Sequence, residues 1–383
     1  MITRSAALRF IVALGFISMF ADVTYEGARS ITGPYLGQLG ANAALIGFVA
    51  GFGEFIGYAL RLASGYTADR TRAYWPLTIF GYILNLGAVP LLALTHRWEY
   101  AAALIVLERA GKAIRNPARD VMLSGAAQAT GVGWGFSLHE AMDQTGAFIG
   151  PMLVALVVLK TGAYSNAFAL LAIPAGLAIS TLFTARHFYP HPVPRESAPA
   201  AVGDTFSRAF WVYVNAGALV AFGVVDFPLI AYHFQNTKLV APALIPVFYA
   251  AATGANALTV ILFGRAFDRF GAPVLLLSIV FTAAATPLVF LGSTYTALGG
   301  MMCWGAGLGS HQALLRASIA MIVPASRRGT AYGIFNTAYG LFWFAGSAAA
   351  GLLYARNVVA LVALAVAANV AAFVLLLVAR RTS

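Results

Sequence analysis

The sequence has few charged residues for its length. Asp, Glu, Lys and Arg together make up 10% of the 383 residues, whereas hydrophobic residues make up 60%. A soluble globular domain carries about 25% charged residues, so this composition argues against one. A helix needs about 20 apolar residues to cross a bilayer, so twelve helices with short connections would use nearly the whole chain. No length remains for a soluble catalytic domain.

Cysteine is almost absent. Cys303 is the single one, which excludes an intrachain disulfide and a metal site built from several cysteines. The segment from His139 to Asp143 has the spacing of a zinc-binding HExxH motif, but aspartate replaces the second histidine and no third ligand is evident. We therefore expect no metal and no cofactor. A nucleophile with its base is also missing, so we expect no enzyme.

Twelve apolar segments are bounded by Gly, Pro and charged residues. The basic and apolar start of the chain could be a cleaved signal, but its apolar stretch continues into a long span, so we expect a retained first helix. The sequence thus predicts an all-α membrane protein with twelve transmembrane helices, near residues 7–36, 43–66, 75–95, 99–123, 134–159, 164–187, 207–232, 241–265, 273–292, 295–323, 329–354 and 357–379.

The distribution of cations predicts the orientation. If the amino terminus lies in the cytoplasm, 15 of the 24 Lys and Arg residues fall on that side, four fall on the other, and five lie within spans. Membrane proteins keep Lys and Arg mainly inside, so both termini are expected in the cytoplasm. The formal charge of +11 is then a signal of orientation, and we expect no nucleic-acid partner.

An internal repeat predicts two pseudo-symmetric six-helix bundles. The segment from Gly65 to Arg70 is repeated as Gly264 to Arg269, at an offset of 199 residues. Between the halves lies a stretch rich in Pro, Ala and Ser, which is typical of a linker. We expect a bundle over residues 1–187, a cytoplasmic linker over 188–206 and a second bundle over 207–383. Duplicated bundles are a common transporter plan.

Motifs in the loop after the second predicted helix and in the fourth and fifth helices carry a resemblance to the major facilitator superfamily. The Gly65, Asp69, Arg70 segment resembles that superfamily's cytoplasmic GxxxDRxGRR signature, although one glycine and one cation are missing around Arg72. The fifth helix has Gly146 and the Gly150-Pro151 pair, similar to the GxxxGP motif of proton-coupled exporters. The fourth helix is similar but not identical to the RxGKxxRxxPRD run of one prokaryotic branch, through Arg109, Gly111, Lys112, Arg115, Pro117, Arg119 and Asp120.

The resemblance implies a proton-driven carrier and a gate at the GxxxDR segments. By themselves the residues suit a gate, because glycine permits a tight turn, Asp69 can accept hydrogen bonds and Arg70 can pair with a carboxylate. A stop-transfer turn solvated by headgroups is the alternative. Close helix packing is an equally good explanation for the glycines of helix five. The expected gating residues are Gly65, Asp69, Arg70, Arg72, Arg115, Arg119, Asp120, Asp268 and Arg269.

Ionisable residues within a span are costly and usually functional. Asp22, Glu26 and Arg29 are spaced at i, i+4 and i+7, on one face of helix one. Two close carboxylates seldom both ionise in a low dielectric, so one is expected to carry a proton that a movement of Arg29 would load or release. A static ion-pair network is the alternative.

Helix five offers a second candidate pair. His139 and Asp143 are spaced at i and i+4 and could form a proton relay, or could be a buried pair that is satisfied by Arg109 or Lys112. Asp226, in the seventh span, is expected to be a further titratable group.

Helix four carries a stripe of charge at Glu108, Lys112, Arg115 and Arg119. Arg109 and Lys112 could hold an anionic group of a substrate, whereas Arg115 and Arg119 are expected near headgroups or in the gate. The expected substrate-binding residues are Arg29, Glu54, Arg61, Arg109, Lys112, Gln312, Arg316, Asn336 and Tyr339.

The sequence therefore predicts a secondary transporter that works by alternating access and exports a small amphipathic or organic-ion solute in exchange for protons. A symporter that imports an organic anion is the main alternative, and a scramblase or receptor-like protein on the same fold is another. We expect a monomer in the plasma (inner) membrane, in contact with lipids, the solute and protons, with the proton gradient as the energy source.

Overall fold

The computed structural model describes residues 4–190, 206–324 and 327–381. Within these ranges the chain is helical and contains no strand. Five unbroken helices come first: α1 (Arg4–Gln38), α2 (Ala43–Thr71), α3 (Tyr74–Leu91), α4 (Trp98–Ala127) and α5 (Val132–Thr161). The sixth and seventh segments are each split in two: α6 (Tyr164–Leu170), α7 (Ala172–Phe188), α8 (Arg208–Gly223) and α9 (Phe227–Asn236).

Five further helices complete the described chain: α10 (Ile245–Phe270), α11 (Ala272–Phe290), α12 (Thr294–Ile322), α13 (Arg328–Arg356) and α14 (Val358–Arg381). Short 3-10 turns occupy Leu92–Leu94 and Pro242–Leu244. With the split pairs counted as one segment each, the described residues form twelve helical segments, which confirms the predicted number.

Ten of these segments are long and apolar enough to cross a membrane. The two others in the described part are α4, which carries the charged stripe, and α12, which contains many Gly, Ser and other polar residues. The charges of α4 cannot face hydrocarbon at low cost, so they must be covered by neighbouring helices.

The helices form two compact units that are discontinuous in the sequence. The first unit comprises Met1–Gly40, Ile56–Ser197 and Pro242–Ala250. The second comprises Ala41–Phe55, Ala198–Ala241 and Ala251–Ser383. The predicted division into 1–187 and 207–383 stays a prediction, and most of the expected linker lies outside the described residues.

Helix α1 is the centre of the first unit. It is buried along most of its length and packs against α5, α7 and α4, while α3 packs along α4. In the second unit α11 packs along α12, and α8 packs against α13 and α14.

The turns after α2 and α10 do not lie at the repeated glycines. Gly65 lies within α2 and Gly264 lies within α10, so the predicted tight turn at Gly65 is wrong. The chain instead reverses at Arg72, with φ 53°, and at Gly271, with φ 65°. These positions are related by the offset of the sequence repeat, since 271 − 72 = 199. Because its φ is positive, Arg72 adopts a left-handed backbone conformation that glycine adopts more readily than other residues.

Gly271→Ala is expected to lower the free energy of unfolding by about 1 kcal/mol, because a Cβ is strained at positive φ. Gly264→Ala is the matched control: its Cβ would meet no atom within 4 Å, and alanine favours the helix. Thermal unfolding of the detergent-purified protein, followed by tryptophan fluorescence, measures both. A larger loss at Gly264 than at Gly271 would contradict the assigned turn.

Candidate functional site

The backbones of α1 and α5 are in direct contact at two glycines of α5. A Cβ on Gly146 would overlap the carbonyl oxygen of Met19 and lie 3.0 Å from the Cβ of Asp22. A Cβ on Gly150 would overlap the carbonyl oxygen of Val23. The packing interpretation of this GxxxG surface is therefore confirmed, and the contact holds Asp22 against α5.

Asp22 is buried in this contact, with 4% of its surface exposed. Asp143, Lys112, Glu26 and Arg115 are the charged groups that act most strongly on it. Its Oδ1 atom accepts no hydrogen bond from the described residues, and the same holds for Oδ1 of Asp143. Two carboxyl groups with unused oxygens thus lie in the same buried region.

Glu26, one turn further along α1, has a different environment. The Tyr249 hydroxyl donates a short hydrogen bond to its Oε2. Its Oε1 lies 3.9 Å from the Nζ of Lys112, which in turn lies 3.7 Å from the centre of the Tyr25 ring. Both oxygens of Glu26 are therefore engaged, and Lys112 is a cation that contacts it.

Arg29 was expected to be the counter-charge of this carboxylate pair. It is half-buried, and its charge acts on Tyr249 together with those of Glu26 and Arg109. Arg29 thus belongs to the same region as Glu26 and Tyr249.

The charged stripe of α4 is covered by protein, as the cost of charge in hydrocarbon requires. The Asn85 side chain donates a hydrogen bond of 2.7 Å to Glu108, which also lies 3.4 Å from Nε of Arg109. Arg115 is only 1% exposed and lies 4.2 Å from the Tyr82 ring. The expectation of Arg115 near headgroups is therefore wrong, because its guanidinium faces the aromatic side chains of α1 and α3.

Arg119 and His139 meet at a residue that sequence reasoning missed. The Oγ of Ser18 lies 3.0 Å from Nε2 of His139 and accepts a hydrogen bond of 3.0 Å from Arg119. Arg119 also donates to Asp120, at 2.8 Å. Arg119 is thus held between α1 and its neighbour Asp120.

The described residues contain no hydrogen bond between His139 and Asp143, which were a candidate relay. The Nε2 atom of His139 instead lies 3.0 Å from Oγ of Ser18. Of the two cations expected near Asp143, Arg109 lies 3.4 Å from Glu108 and Lys112 lies 3.9 Å from Glu26. The Oδ1 atom of Asp143 accepts no hydrogen bond from the described residues.

Asp226 lies at the break between α8 and α9 in the second unit, where it caps a helix. It is the N-cap of α9, and its Oδ1 accepts a hydrogen bond of 2.8 Å from the backbone of Phe227. Trp343 donates to its Oδ2 at 3.4 Å, and Trp304 bonds the adjacent carbonyl of Val225 at 2.9 Å. These contacts satisfy the backbone groups that the break between α8 and α9 would otherwise leave unpaired within a span.

A second polar network in this unit contains two of the expected substrate-binding residues. Tyr339 bonds Nε2 of the fully buried His311 at 2.8 Å and accepts a hydrogen bond from Gln312 at 3.2 Å. The Nδ1 of His311 lies 3.2 Å from the hydroxyl of Thr282. Arg316 is exposed and Asn336 is half-buried, and neither joins this network.

The remaining candidates lie in α2 and at helix ends. Glu54 and Arg61 are half-buried, and Arg61 lies 5.8 Å from the Tyr58 ring. Arg70 donates to the Tyr66 hydroxyl at 3.0 Å. The expected gating residues at the ends of α2 and α10 are exposed: Asp69, Arg70, Arg72, Asp268 and Arg269.

Helices that are long and apolar enough to cross a membrane and that enclose buried charges define a multi-pass membrane protein as the class. The model of the Major Facilitator Superfamily matches residues 11–272 and 224–383. The chain belongs to this superfamily, whose members carry out secondary transport.

Relatives support the same assignment. Uncharacterized protein Rv2265 of Mycobacterium tuberculosis (strain ATCC 25618 / H37Rv) is 39% identical over 388 residues, covering 99% of this chain and 95% of the relative. Uncharacterized MFS-type transporter MJ1317 of Methanocaldococcus jannaschii is 34% identical over 146 residues, covering 38% of this chain and 36% of the relative.

Solved structures share the fold. The nucleoside transporter NupG superposes with a TM-score of 0.80 at 12% identity, covering 96% of this chain and 99% of that chain. The peptide transporter POT superposes with a TM-score of 0.75 at 14% identity, covering 97% and 93%. At these identities the likeness concerns the fold alone and carries no information on the substrate.

Gly146→Ala is expected to destabilise the first unit by about 1–3 kcal/mol, because the added methyl group would overlap a backbone carbonyl that cannot rotate away. Gly87→Ala in α3 is the matched control, since its Cβ would meet no atom within 4 Å. The thermal midpoint in detergent gives the comparison. Equal midpoints would mean that α1 and α5 are not in backbone contact there.

Asp226→Asn is expected to retain the fold, because an asparagine oxygen caps a helix about as well as an aspartate oxygen. Asp226→Ala removes the cap and is expected to cost about 1 kcal/mol. Thermal unfolding of both variants distinguishes a capping role from a charge-dependent one. If asparagine were as damaging as alanine, the cap would not be the reason for this carboxylate.

Proposed function

We propose that this protein is a proton-coupled secondary transporter that works by alternating access. The observation that carries the proposal is Asp22: a carboxyl group 4% exposed, in a membrane-spanning helix, with an oxygen that accepts no hydrogen bond from the described residues. Burying such a group costs several kcal/mol, so an ionisable residue that is retained within a span usually serves a function. A carboxyl group that can take up and release a proton is the simplest such function.

The network around Asp22 supports coupling to movement. Its partners come from three different helices: Asp143 from α5, Lys112 and Arg115 from α4, and Glu26 from α1 itself. A shift of α4 relative to α1 would change the charge near Asp22 and therefore its protonation. No cofactor is needed, because the proton gradient supplies the energy.

We propose export of a small amphipathic or organic-ion solute. The support for export is the GxxxGP resemblance of α5, whose two glycines also have a packing role. Import of an organic anion by symport has less support, because Arg109 lies 3.4 Å from Glu108 and Lys112 lies 3.9 Å from Glu26, which leaves both cations already paired with carboxylates. The roles proposed for Gln312 and Tyr339 in binding the solute are supported by their shared polar network.

The exposed charges at the ends of α2 and α10 form the proposed gate, together with Arg119 and Asp120. Exposure of Arg70 and Arg269 leaves both guanidinium groups able to pair with carboxylates when the carrier changes conformation. The excess of cations near these helix ends supports a cytoplasmic location for them and for both termini. We further propose a monomer surrounded by lipid in the inner membrane.

Transport by reconstituted protein tests the proposal. A panel of solutes is supplied to proteoliposomes that contain a pH-sensitive dye, so that solute flux and proton flux are read together. In the proteoliposomes the wild type is expected to move protons in the direction opposite to the solute. In cells, dissipating the proton gradient should raise the accumulation of an exported solute.

Asp22→Asn is expected to abolish gradient-driven transport, because asparagine carries no titratable proton, while solute exchange continues. Asp226→Asn is the matched control and should keep full coupling, since its carboxylate is a helix cap. Proton flux that is unchanged in Asp22→Asn would overturn the assignment of Asp22, and a wild type that moves no solute would overturn transport itself.

A further inference from the structure

We infer that Gln312 of α12 is the side chain by which the second unit binds the solute, through an uncharged group that both donates and accepts a hydrogen bond, such as an amide or a hydroxyl. Three buried residues, Tyr339, His311 and Thr282, form an uncharged hydrogen-bond chain that orients the Gln312 amide. The solute contact rests on the proposed function, but the chain is a property of the resting protein and is tested separately.

The direction of the chain is set at its far end, by Thr282 of α11. A Cβ on Gly307 would overlap the Thr282 hydroxyl, so this glycine allows α11 to approach the ring of His311. The Thr282 hydroxyl donates to the carbonyl oxygen of Ser278 at 3.1 Å, and its oxygen lies 3.2 Å from Nδ1 of His311. A hydroxyl has a single hydrogen, so the Thr282 oxygen can only accept from the ring. The Nδ1 atom of His311 therefore carries a hydrogen.

The second nitrogen of His311 is an acceptor. The residue is 0% exposed, and no ion pair within residues 4–190, 206–324 and 327–381 includes it. A charged imidazole without a partner is costly in such a place, so the ring is neutral. A neutral ring with a hydrogen on Nδ1 presents Nε2 as an acceptor. The Tyr339 hydroxyl, 2.8 Å from Nε2, is therefore the donor.

The same reasoning fixes the orientation of the Gln312 amide. The Tyr339 hydroxyl uses its hydrogen on His311, so its oxygen accepts from the amide N–H of Gln312, at 3.2 Å. The amide keeps its carbonyl oxygen and a second N–H. Gln312 is half-buried, and no described residue donates to its Oε1. It thus offers one acceptor and one donor to a ligand.

Tyr339 and His311 lie too deep in the unit to contact a solute. Tyr339 is 1% exposed. It lies between Phe335 and Trp343 on α13, with distances between ring centres of 5.6 Å and 5.7 Å. Tyr339 and His311 therefore act through Gln312, as positioning residues.

The face of α12 that carries Gln312 borders water. Arg316 follows one turn later on this face and is exposed. An exposed guanidinium group cannot face hydrocarbon at low cost. Met302 and Ala313 are exposed too, but they are 11 residues apart, since 313 − 302 = 11, which places them together on a neighbouring apolar face. A polar solute can therefore reach Gln312, whereas the face of Ala313 suits lipid.

The chain recognises an uncharged group because none of its members carries a charge. A charged group placed against Gln312 would gain no counter-charge from Tyr339, His311 or Thr282. An amide or a hydroxyl supplies both the donor and the acceptor that the Gln312 amide lacks. A site of this kind rejects an analogue without such a group, because the amide of the protein would then be left unpaired.

Nitrogen-15 NMR of the histidine-labelled protein in lipid bilayers tests the chain without a substrate. Ser310-His311 is the only Ser-His pair of the sequence, so serine labelled with carbon-13 at the carbonyl assigns His311 without a substitution. We expect a neutral ring, protonated at Nδ1 and accepting at Nε2, and Tyr339→Phe should shift the Nε2 signal to that of an unbonded acceptor. A hydrogen on Nε2, on its own or on both nitrogens, or an unshifted signal in Tyr339→Phe, would overturn the chain.

Thiol labelling tests whether Gln312 meets water. Cys303 is the single cysteine, so Cys303→Ser provides a background without thiols for Gln312→Cys and for its matched control, Ala313→Cys. The probe is a trimethylammonium methanethiosulfonate, present on both sides of reconstituted vesicles. Modification is expected to be about tenfold faster at position 312, because the charged reagent does not enter hydrocarbon. A rate at 312 no greater than that at 313 would overturn the solute contact.

Transport kinetics test the positioning role, with the solute of the proteoliposome panel that gives the highest wild-type flux. Gln312→Ala and Tyr339→Phe should each raise its KM about fivefold at an unchanged maximal rate, as expected for the loss of one oriented hydrogen bond. The double variant should be no worse than either, since Tyr339 acts through Gln312. The matched control is Ser310→Ala, which removes a buried hydroxyl without a partner in the described chain and should keep the wild-type KM.

The outcomes separate the two proposals. Additive effects of the two substitutions, or a KM that is unchanged in either, would overturn the positioning role. A wild type that moves no solute of the panel would instead overturn the proposed function, and with it the solute contact, while the NMR result would still decide the chain.

Discussion

The close contact between α1 and α5 is the constraint on which the candidate site depends. Gly146 and Gly150 allow two helix backbones to touch, and the touching surface carries Asp22. Without this contact the carboxyl group of Asp22 would lie in hydrocarbon or in an open cavity, and it would not be held against α5. The position of the buried ionisable group therefore depends on helix packing, because the two glycines of α5 determine where Asp22 lies.

Five carboxylates of the described spans fall into two kinds. Glu26, Glu108 and Asp226 each have specific donors: a tyrosine and a lysine, an asparagine and an arginine, and a helix amino terminus with a tryptophan. Asp22 and Asp143 each keep an oxygen without a donor in the described chain. A carrier needs both kinds, since the first hold the helices in register and the second can change their protonation as the helices move.

Polar residues without charge complete the network, and they explain why sequence reasoning placed some partners wrongly. Ser18 lies 3.0 Å from Nε2 of His139, for which Asp143 was the expected partner, and Tyr249 donates to Glu26, which was grouped with Arg29. A serine or tyrosine within an apolar span costs little and gives no signal in a pattern of charges. The same holds for Asn85 and Tyr82, which bind Glu108 and cover Arg115.

The sequence by itself determined the number of helical segments and the membrane character, because most spans need a long apolar stretch whatever their neighbours are. Its motifs indicated the superfamily. It also marked Asp22, Glu26 and the α4 stripe as exceptional, since charge in a span is costly. Only the tertiary structure decided which carboxyl groups meet which cations, that Asp226 caps a broken helix, and that the chain turns at Arg72 and Gly271 and not at the repeated glycines. Those choices depend on how far apart side chains on different helices lie, and helical periodicity within one span contains no information about that distance.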